Sequence, residues 1–282
     1  MLAVLGRGIV PLSTPVIRAD DLGATRGDGV FETMHVRYGK AWLRDEHLAR
    51  MARSATILAL DLPHVTELAA LLDSALAAWP RDRPGGVKLV CTRGPEGHDR
   101  TAGGPATVFA MVFDISPGLL RQRREGVRTA TATLGISADV RAEAPWLLGG
   151  VKSLSYAVNM AAQRWANDRG LDDVVLLSSE GQVLEAPTST VVWASGGALR
   201  TVPNDTGILA GTTAAYLLDH AAEAGLRADR RRATVDDLYA ADGVWLCSSV
   251  RGPARVVELD GKTLTADAEL TAAIPAILGF DS

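Results

Sequence analysis

One lysine stands apart in the stretch GGVKSLSYAVNM, where Lys152 lies between two glycines and the start of an amphipathic run. A lysine that ends a strand and faces a cavity is desolvated. That disfavours its charged form and leaves free amine able to condense with a carbonyl. Glu185, in GQVLEAPTSTVVW, ends an apolar strand, a costly place for a lone carboxylate unless it meets a cation or a strong donor. Gly211, Thr212 and Thr213 open a helix in GILAGTTAAYLL, and free N–H groups, hydroxyls and the positive end of the helix dipole suit a phosphate. Arg50, three residues after His47 in WLRDEHLARM, is placed for a second phosphate contact. Each residue also has a structural reading: a solvated lysine, a turn carboxylate, an N-cap and a surface ion pair.

An amine, an acid and a phosphate cup together are what pyridoxal phosphate requires. Its aldehyde takes a lysine, its phosphate a helix N-terminus and an arginine, and its ring nitrogen a carboxylate. Other chemistries lack their residues. There is no G-x-G-x-x-G, no G-x-x-x-x-G-K-[ST] and no G-x-S-x-G. His35, His47, His64, His98 and His220 show no zinc-ligand spacing, and no calcium loop is present, so no metal is expected.

The elements that must hold these groups follow from periodicity. GDGVFETMHVRYGKAWLR gives two alternating runs about Tyr38-Gly39, a hairpin. A helix begins at Asp45 and Glu46 with Leu48, Met51, Ala55 and Leu58 on one side, and a second covers VTELAALLDSALAAW. GVKLVCT and ATVFAMVFDI read as strands around the polar loop RGPEGHDRTAGGP. VRTATATLGI and the meander DVVLLSSEGQVLEAPTSTVVWASGGALRTV follow, with turns at Glu180-Gly181 and Gly196-Gly197. A helix runs from Gly211 to a stop at Gly225, Thr234 and Asp237 form a capping box, and two strands and a last helix close the chain. Strands mixed with helices, without strict βαβ alternation, indicate an α+β fold with mixed or antiparallel sheets. The charged, turn-prone SPGLLRQRREG marks a linker at 116–125 between an N-terminal domain, 1–115, and a C-terminal domain, 126–282.

With 282 residues and 47% hydrophobic content the chain has ample core material. Cys91 and Cys247 sit in apolar strand-like runs and read as buried reduced thiols of a cytoplasmic protein. A net charge of −4 argues against nucleic-acid binding, and RQRREG and DRRRAT read as solvated surface. No window approaches the roughly 20 apolar residues of a membrane span, and no export signal is visible, so a soluble, unexported protein is expected and Arg26-Gly27-Asp28 is a coincidence rather than an adhesion motif.

The motifs GDGVFET, HLARM followed by SA, KSLSYAVNM, VLEAPTSTVV and GILAGTT stand in an order that resembles the fold type IV, or class IV, aminotransferase family, and within it the aminodeoxychorismate lyases. The resemblance implies a two-domain fold with pyridoxal 5'-phosphate in the cleft between the domains, and a homodimer acting on a small molecule. It assigns Lys152 to the cofactor aldehyde, Glu185 to the pyridine nitrogen, and Arg50, Gly211, Thr212 and Thr213 to the phosphate, with Ser248, Ser249 and Val250 in a loop beside the cofactor and substrate. The implied reaction turns 4-amino-4-deoxychorismate into 4-aminobenzoate and pyruvate. Rival readings are a D-amino-acid or branched-chain aminotransferase and a noncatalytic binding protein on the same scaffold. Arg93 and Arg251 are candidates for the substrate's carboxylates, because guanidinium forks suit bidentate contacts. The chain departs from the family at Arg26, where relatives carry an aromatic, at Ser155-Tyr156, where an asparagine is common, and at Thr190, Val191 and Val192, in place of Asn-Leu-Phe. Arg26 is either a new carboxylate anchor or a surface arginine at a turn, and Tyr156 lies on the substrate side.

Overall fold

The computed structural model describes residues 1–98 and 101–280. The chain divides into two compact units, one of residues 1–115 with 151–156, the other of 116–150 with 157–282. The first contains β1 (Leu2–Val4), β2 (Gly8–Val10), β3 (Gly29–Arg37), β4 (Lys40–Ala41), β5 (Gly85–Thr92) and β6 (Val108–Phe113), with α1 (Leu22–Arg26), α2 (Arg44–Ile57) and α3 (Val65–Ala77). Its sheet is antiparallel throughout, in the order β2-β1-β6-β5-β3-β4. Period-two alternation puts Val30, Met34 and Val36 of β3 on the side that packs with Leu48 and Met51 of α2 and Leu68 and Leu72 of α3. Tyr38 and Gly39 both have positive φ, 51° and 74°, the backbone that a two-residue hairpin turn requires. The loop expected between β5 and β6 falls partly on residues 99–100, outside the described residues.

The second unit contains β7 (Val127–Thr133), β8 (Asp173–Leu177), β9 (Thr190–Ser195), β10 (Ala198–Thr201), β11 (Arg227–Arg230), β12 (Gly243–Ser248), β13 (Gly252–Leu259) and β14 (Lys262–Thr263). They form a mixed sheet, β11-β10-β9-β12-β13-β7-β8, with β14 on β13 and with parallel pairs at β10/β11, β13/β7 and β7/β8. The helices are α4 (Pro117–Glu125), α5 (Val140–Glu143), α6 (Ala157–Asn167), α7 (Thr212–Asp219), α8 (Val235–Tyr239) and α9 (Ala268–Ile277). Val191, Trp193, Val244, Leu246, Ala254 and Val256 fill the core. The Thr234–Asp237 capping box opens α8 as the sequence indicates.

Three expectations need correction. Residues 116–125 are not a linker: Ser116 caps α4, accepting from the Leu119 N–H at 3.3 Å, and Arg123 on that helix donates to the carbonyls of Val250 and Arg251 at 2.7 and 2.9 Å. The Lys152 segment belongs to the first unit, not to the C-terminal half. The helix expected to reach Gly225 ends at Asp219. There the His220 ring stacks on Tyr216, 4.0 Å between centroids, and a 3-10 turn, Ala221–Ala224, carries the chain on to Gly225.

Both cysteines are unpaired, and burial pushes each thiol up to about 12. Among the described residues no helix is long and apolar enough to cross a membrane, and no cluster of three or more His, Cys, Asp or Glu side chains could hold a metal.

Candidate active site

The residue that opened the sequence reading is placed by strand pairing. The segment before α6 lies along the first residues of β3: the Phe31 N–H donates to the Lys152 carbonyl at 3.1 Å, and the Leu154 N–H donates to the Gly29 carbonyl at 2.9 Å. The Lys152 N–H in turn donates to Ser54 Oγ, on α2, at 3.1 Å. With its backbone held on two sides, Lys152 keeps its side chain only 9% exposed. Its Nζ lies 4.5 Å from the Phe31 ring centroid and 5.5 Å from that of Tyr156, and the two rings meet edge to face at 87°. An aromatic lining favours the ammonium through the ring quadrupoles, while burial favours the neutral amine.

Arg50 lies one helical turn before Ser54 and is likewise buried. Its Nε donates to Glu32 Oε1 at 2.7 Å and its Nη2 to Glu32 Oε2 at 2.6 Å, so the guanidinium plane is fixed by a fork-to-fork contact. His47 Nδ1 stands 2.6 Å from Glu32 Oε2. Burial is the largest influence on Glu32 and would raise its pKa, but the Arg50 charge and the hydrogen bonds from Arg50 and His47 together hold it at about 2. Burial also dominates at His47 and lowers its pKa, so the imidazole is neutral near pH 7 with its proton on Nδ1, donated to Glu32.

The second unit holds the other residues. Glu185 follows the bridged stretch Gln182–Val183, and its Oε2 accepts from the Leu209 N–H at 3.1 Å. Arg141, which sequence reasoning missed, brings Nη1 to 3.6 Å from Glu185 Oε1 and donates from the same nitrogen to the Gly207 carbonyl at 2.6 Å. Two residues beyond Leu209, Gly211 caps α7 with φ −65° and without a side-chain hydrogen bond to the first turn. A Cβ at Gly211 would fall 2.2 Å from Thr190 Oγ1, so close approach of β9, not backbone torsion, requires the glycine. Thr212 and Thr213 are buried, and Thr213 Oγ1 lies 3.5 Å from Ser249 Oγ. Ser248 ends β12, and Ser249 and Val250 follow in a turn whose carbonyls Arg123 holds.

These groups fit pyridoxal phosphate. A helix N-terminus that opens on a glycine, next to two hydroxyls, suits a phosphate. Glu185, oriented by a backbone N–H and a guanidinium, suits a protonated ring nitrogen.

The two arginines expected at the substrate's carboxylates meet groups of the protein itself. Arg93 spends Nε and Nη2 on Asp28 at 2.7 and 3.1 Å, and donates from Nη2 and Nη1 to the Leu58 and Ala59 carbonyls at 2.7 and 2.9 Å. It ties α2's end to the Asp28 turn. Arg251 is 4% exposed; its Nη2 donates to Ser189 Oγ at 2.7 Å and lies 2.8 Å from Asp173 Oδ2, an ion contact without hydrogen-bond alignment. Arg93 is thus paired with Asp28, and Arg251 meets Asp173, Ser189 and Gln122. Arg26 pairs with Glu96 at 2.9 Å with half of its side chain exposed, the surface alternative of its two readings. Tyr156 stands beside Lys152.

The family model described as amino-transferase class IV matches residues 29–259. A protein of Mycobacterium tuberculosis named bifunctional aminodeoxychorismate lyase / D-amino acid transaminase is 39% identical over 273 residues, covering 94% of this chain and 93% of its own. Among solved structures, the pyridoxal-phosphate-bound form of a hypothetical aminotransferase from Mycobacterium tuberculosis superposes with a TM-score of 0.93 at 37% identity, covering 99% of this chain and 97% of that one. A fold IV transaminase from Curtobacterium pusillum does so with a TM-score of 0.90 at 38% identity, covering 98% and 96%.

Proposed function

Since the chain belongs to the class IV aminotransferase family, as an enzyme of fold type IV that uses pyridoxal phosphate, we propose that it is a lyase converting 4-amino-4-deoxychorismate to 4-aminobenzoate and pyruvate, a step toward folate. The observation that carries this reading is Lys152, an amine 9% exposed on a backbone pinned to β3 and to Ser54. When bound, the cofactor supplies an aldehyde that takes an amine and a ring that accepts an electron pair.

The chain's own residues then have separate tasks. Lys152 would hold the cofactor's aldehyde until the substrate's amine takes its place. Its freed Nζ, kept from water by Phe31 and Tyr156, takes the proton from the ring carbon that bears that amine. The C–O bond at the adjacent carbon breaks, the three-carbon group leaves as the enolate of pyruvate and takes up the proton that Lys152 removed, and the ring becomes aromatic. Glu185 holds the proton on the pyridine nitrogen, with Arg141 keeping the carboxylate oriented. The N–H groups of Thr212 and Thr213, the Thr213 and Ser249 hydroxyls, and Arg50 hold the phosphate. The enzyme acts in the cytoplasm as a homodimer, and the exposed Trp146 and Val158, 77% and 62% accessible, support the dimer.

A second reading, D-amino-acid transamination, is favoured by the double name of the Mycobacterium tuberculosis relative. Side-by-side turnover of aminodeoxychorismate, D-alanine and L-leucine tests both. The lyase yields pyruvate and 4-aminobenzoate with no keto-acid acceptor, whereas product formed only from an amino acid and a keto acid overturns it. Borohydride treatment of the loaded enzyme fixes the cofactor's mass on Lys152 and leaves K152A unlabelled; label retained in K152A removes the lysine from its role.

A further inference from the structure

Residues paired across antiparallel strands stand on the same side of a sheet. In the first unit the side turned away from α2 and α3 therefore carries Phe31, Thr33 and His35 of β3, Lys88 and Val90 of β5, and Phe109 and Met111 of β6. Glu32 is the one acid in these six strands. Its place in the alternation puts it on the helix side, where Arg50 and His47 take both its oxygens. The other side thus presents cations with no carboxylate among them.

Lys88 is the unbalanced charge there. It sits in the middle of β5, directly opposite Thr33, half-buried on a face that is otherwise largely apolar, and among the described residues it makes no ion pair. What its ammonium meets is the Phe31 ring, 5.6 Å from the centroid. Phe31 is also the ring that lies 4.5 Å from Lys152 Nζ. Two ammonium groups thus lie within cation–π range of one aromatic side chain, with Tyr156 edge-on to it. The ring offsets only part of the cost of holding Lys88 away from bulk water. An anion arriving with a ligand removes that penalty.

We propose that Lys88 determines substrate specificity by pairing with a carboxylate that the substrate carries away from its reacting amine. The ligand class is a flat six-membered ring with an amine at one end and a carboxylate at the other. The amine goes to Lys152 and the carboxylate to Lys88. This rests on Lys152 being the lysine that exchanges amines on the cofactor.

The test titrates cofactor-loaded protein calorimetrically with 4-aminobenzoate and with methyl 4-aminobenzoate, which keeps ring and amine and loses the charge. Wild type should prefer the acid over the ester by roughly tenfold or more, the size of a charge-assisted hydrogen bond. K88M should erase that preference by weakening the acid alone, and K88R should restore part of it, while the cofactor's absorbance and its dissociation constant stay at wild-type values. Should K88M fail to fold by circular dichroism, K88Q, neutral but polar, is read in the same way. Equal affinity of wild type for acid and ester overturns the proposal, as does a wild-type preference surviving in the neutral variant. Those outcomes leave the lysine–cofactor reading standing; wild type that takes up no pyridoxal phosphate removes that reading, and the Lys88 proposal with it.

Discussion

Glu32 receives Arg50 Nε and Nη2 on its two oxygens at 2.7 and 2.6 Å, and neither side chain is more than 6% exposed. The acid thus sets the plane in which the arginine meets any third group. Replacing it by alanine leaves a buried guanidinium unpaired, at a cost of about 3–5 kcal/mol. Glutamine keeps the shape and removes the charge. The Glu32 carboxyl is held at about 2, below its ordinary 4.5, so its contribution to stability is full above 4.5 and is lost as pH falls toward 2. Urea midpoints across that window should fall more steeply in wild type than in E32Q, and parallel curves would remove Glu32 as the acid-labile group.

His47 acts in a different window. Its folded pKa lies below the ordinary 6.5 because burial disfavours the imidazolium. Below 6.5 the unfolded chain takes up a proton that the native chain resists, so stability falls as pH drops below 6.5 and is level above it. H47Q, whose amide can still donate to Glu32, should show a smaller change in melting temperature on either side of 6.5. An unchanged profile would assign the dependence to other groups.

Much of this site was legible because it is written locally. Helical spacing puts Arg50 one turn after His47 on one face, whereas Glu32, which joins them, was passed over although alternation in GVFETMHV puts it on the helix side of β3. The caps of α7 and α8 likewise depend on neighbouring residues. What could not be read is the choice of partners from far along the chain. Nothing near Lys152 announces that its segment pairs with Gly29–Phe31, and nothing near Arg93 or Arg251 announces Asp28 or Asp173, so those arginines looked available. Arg141 was passed over because it sits in a four-residue helix without periodicity, and only the fold brings it to Glu185. The linker at 116–125 was misread because a charged, glycine-containing stretch can be a short surface helix when its cap and an arginine dock it.

Arg141 tests the acid. With both side chains partly exposed, 17% and 16%, and 3.6 Å between charges, the contact is worth about 1 kcal/mol or less. R141M should therefore weaken pyridoxal phosphate binding by roughly two- to sixfold, read by quenching of protein fluorescence. No change would mean that the Leu209 N–H alone orients Glu185.

Gly211 tests the phosphate cradle. Its φ of −65° suits any residue, so alanine strains nothing in the backbone, and the penalty arises chiefly from the Thr190 hydroxyl 2.2 Å from the new methyl. G211A should lower cofactor affinity by pushing the α7 N-terminus off β9. The double variant G211A/T190A should recover part of the loss, because it removes the oxygen while the Cβ of residue 190 stays at 3.2 Å. A G211A protein that binds pyridoxal phosphate like wild type would dissociate the α7 N-terminus from the phosphate.

Asp173 is fully buried, and Arg251 is its counter-ion. Its Oδ1 accepts from the Val174 N–H at 2.9 Å, while Arg251 also reaches Ser189 and Gln122. A buried pair of this kind contributes little net stability, yet removing one member is expensive because the other keeps its desolvation penalty. D173A should therefore lose about 3–5 kcal/mol by urea unfolding. D173L/R251M, which removes both charges and keeps apolar volume, should lie within about 2 kcal/mol of wild type. The same double variant decides between the two readings of Arg251. A structural arginine leaves 4-aminobenzoate affinity at the wild-type value once the pair is replaced as a unit, whereas a substrate anchor takes that affinity with it however stable the protein remains.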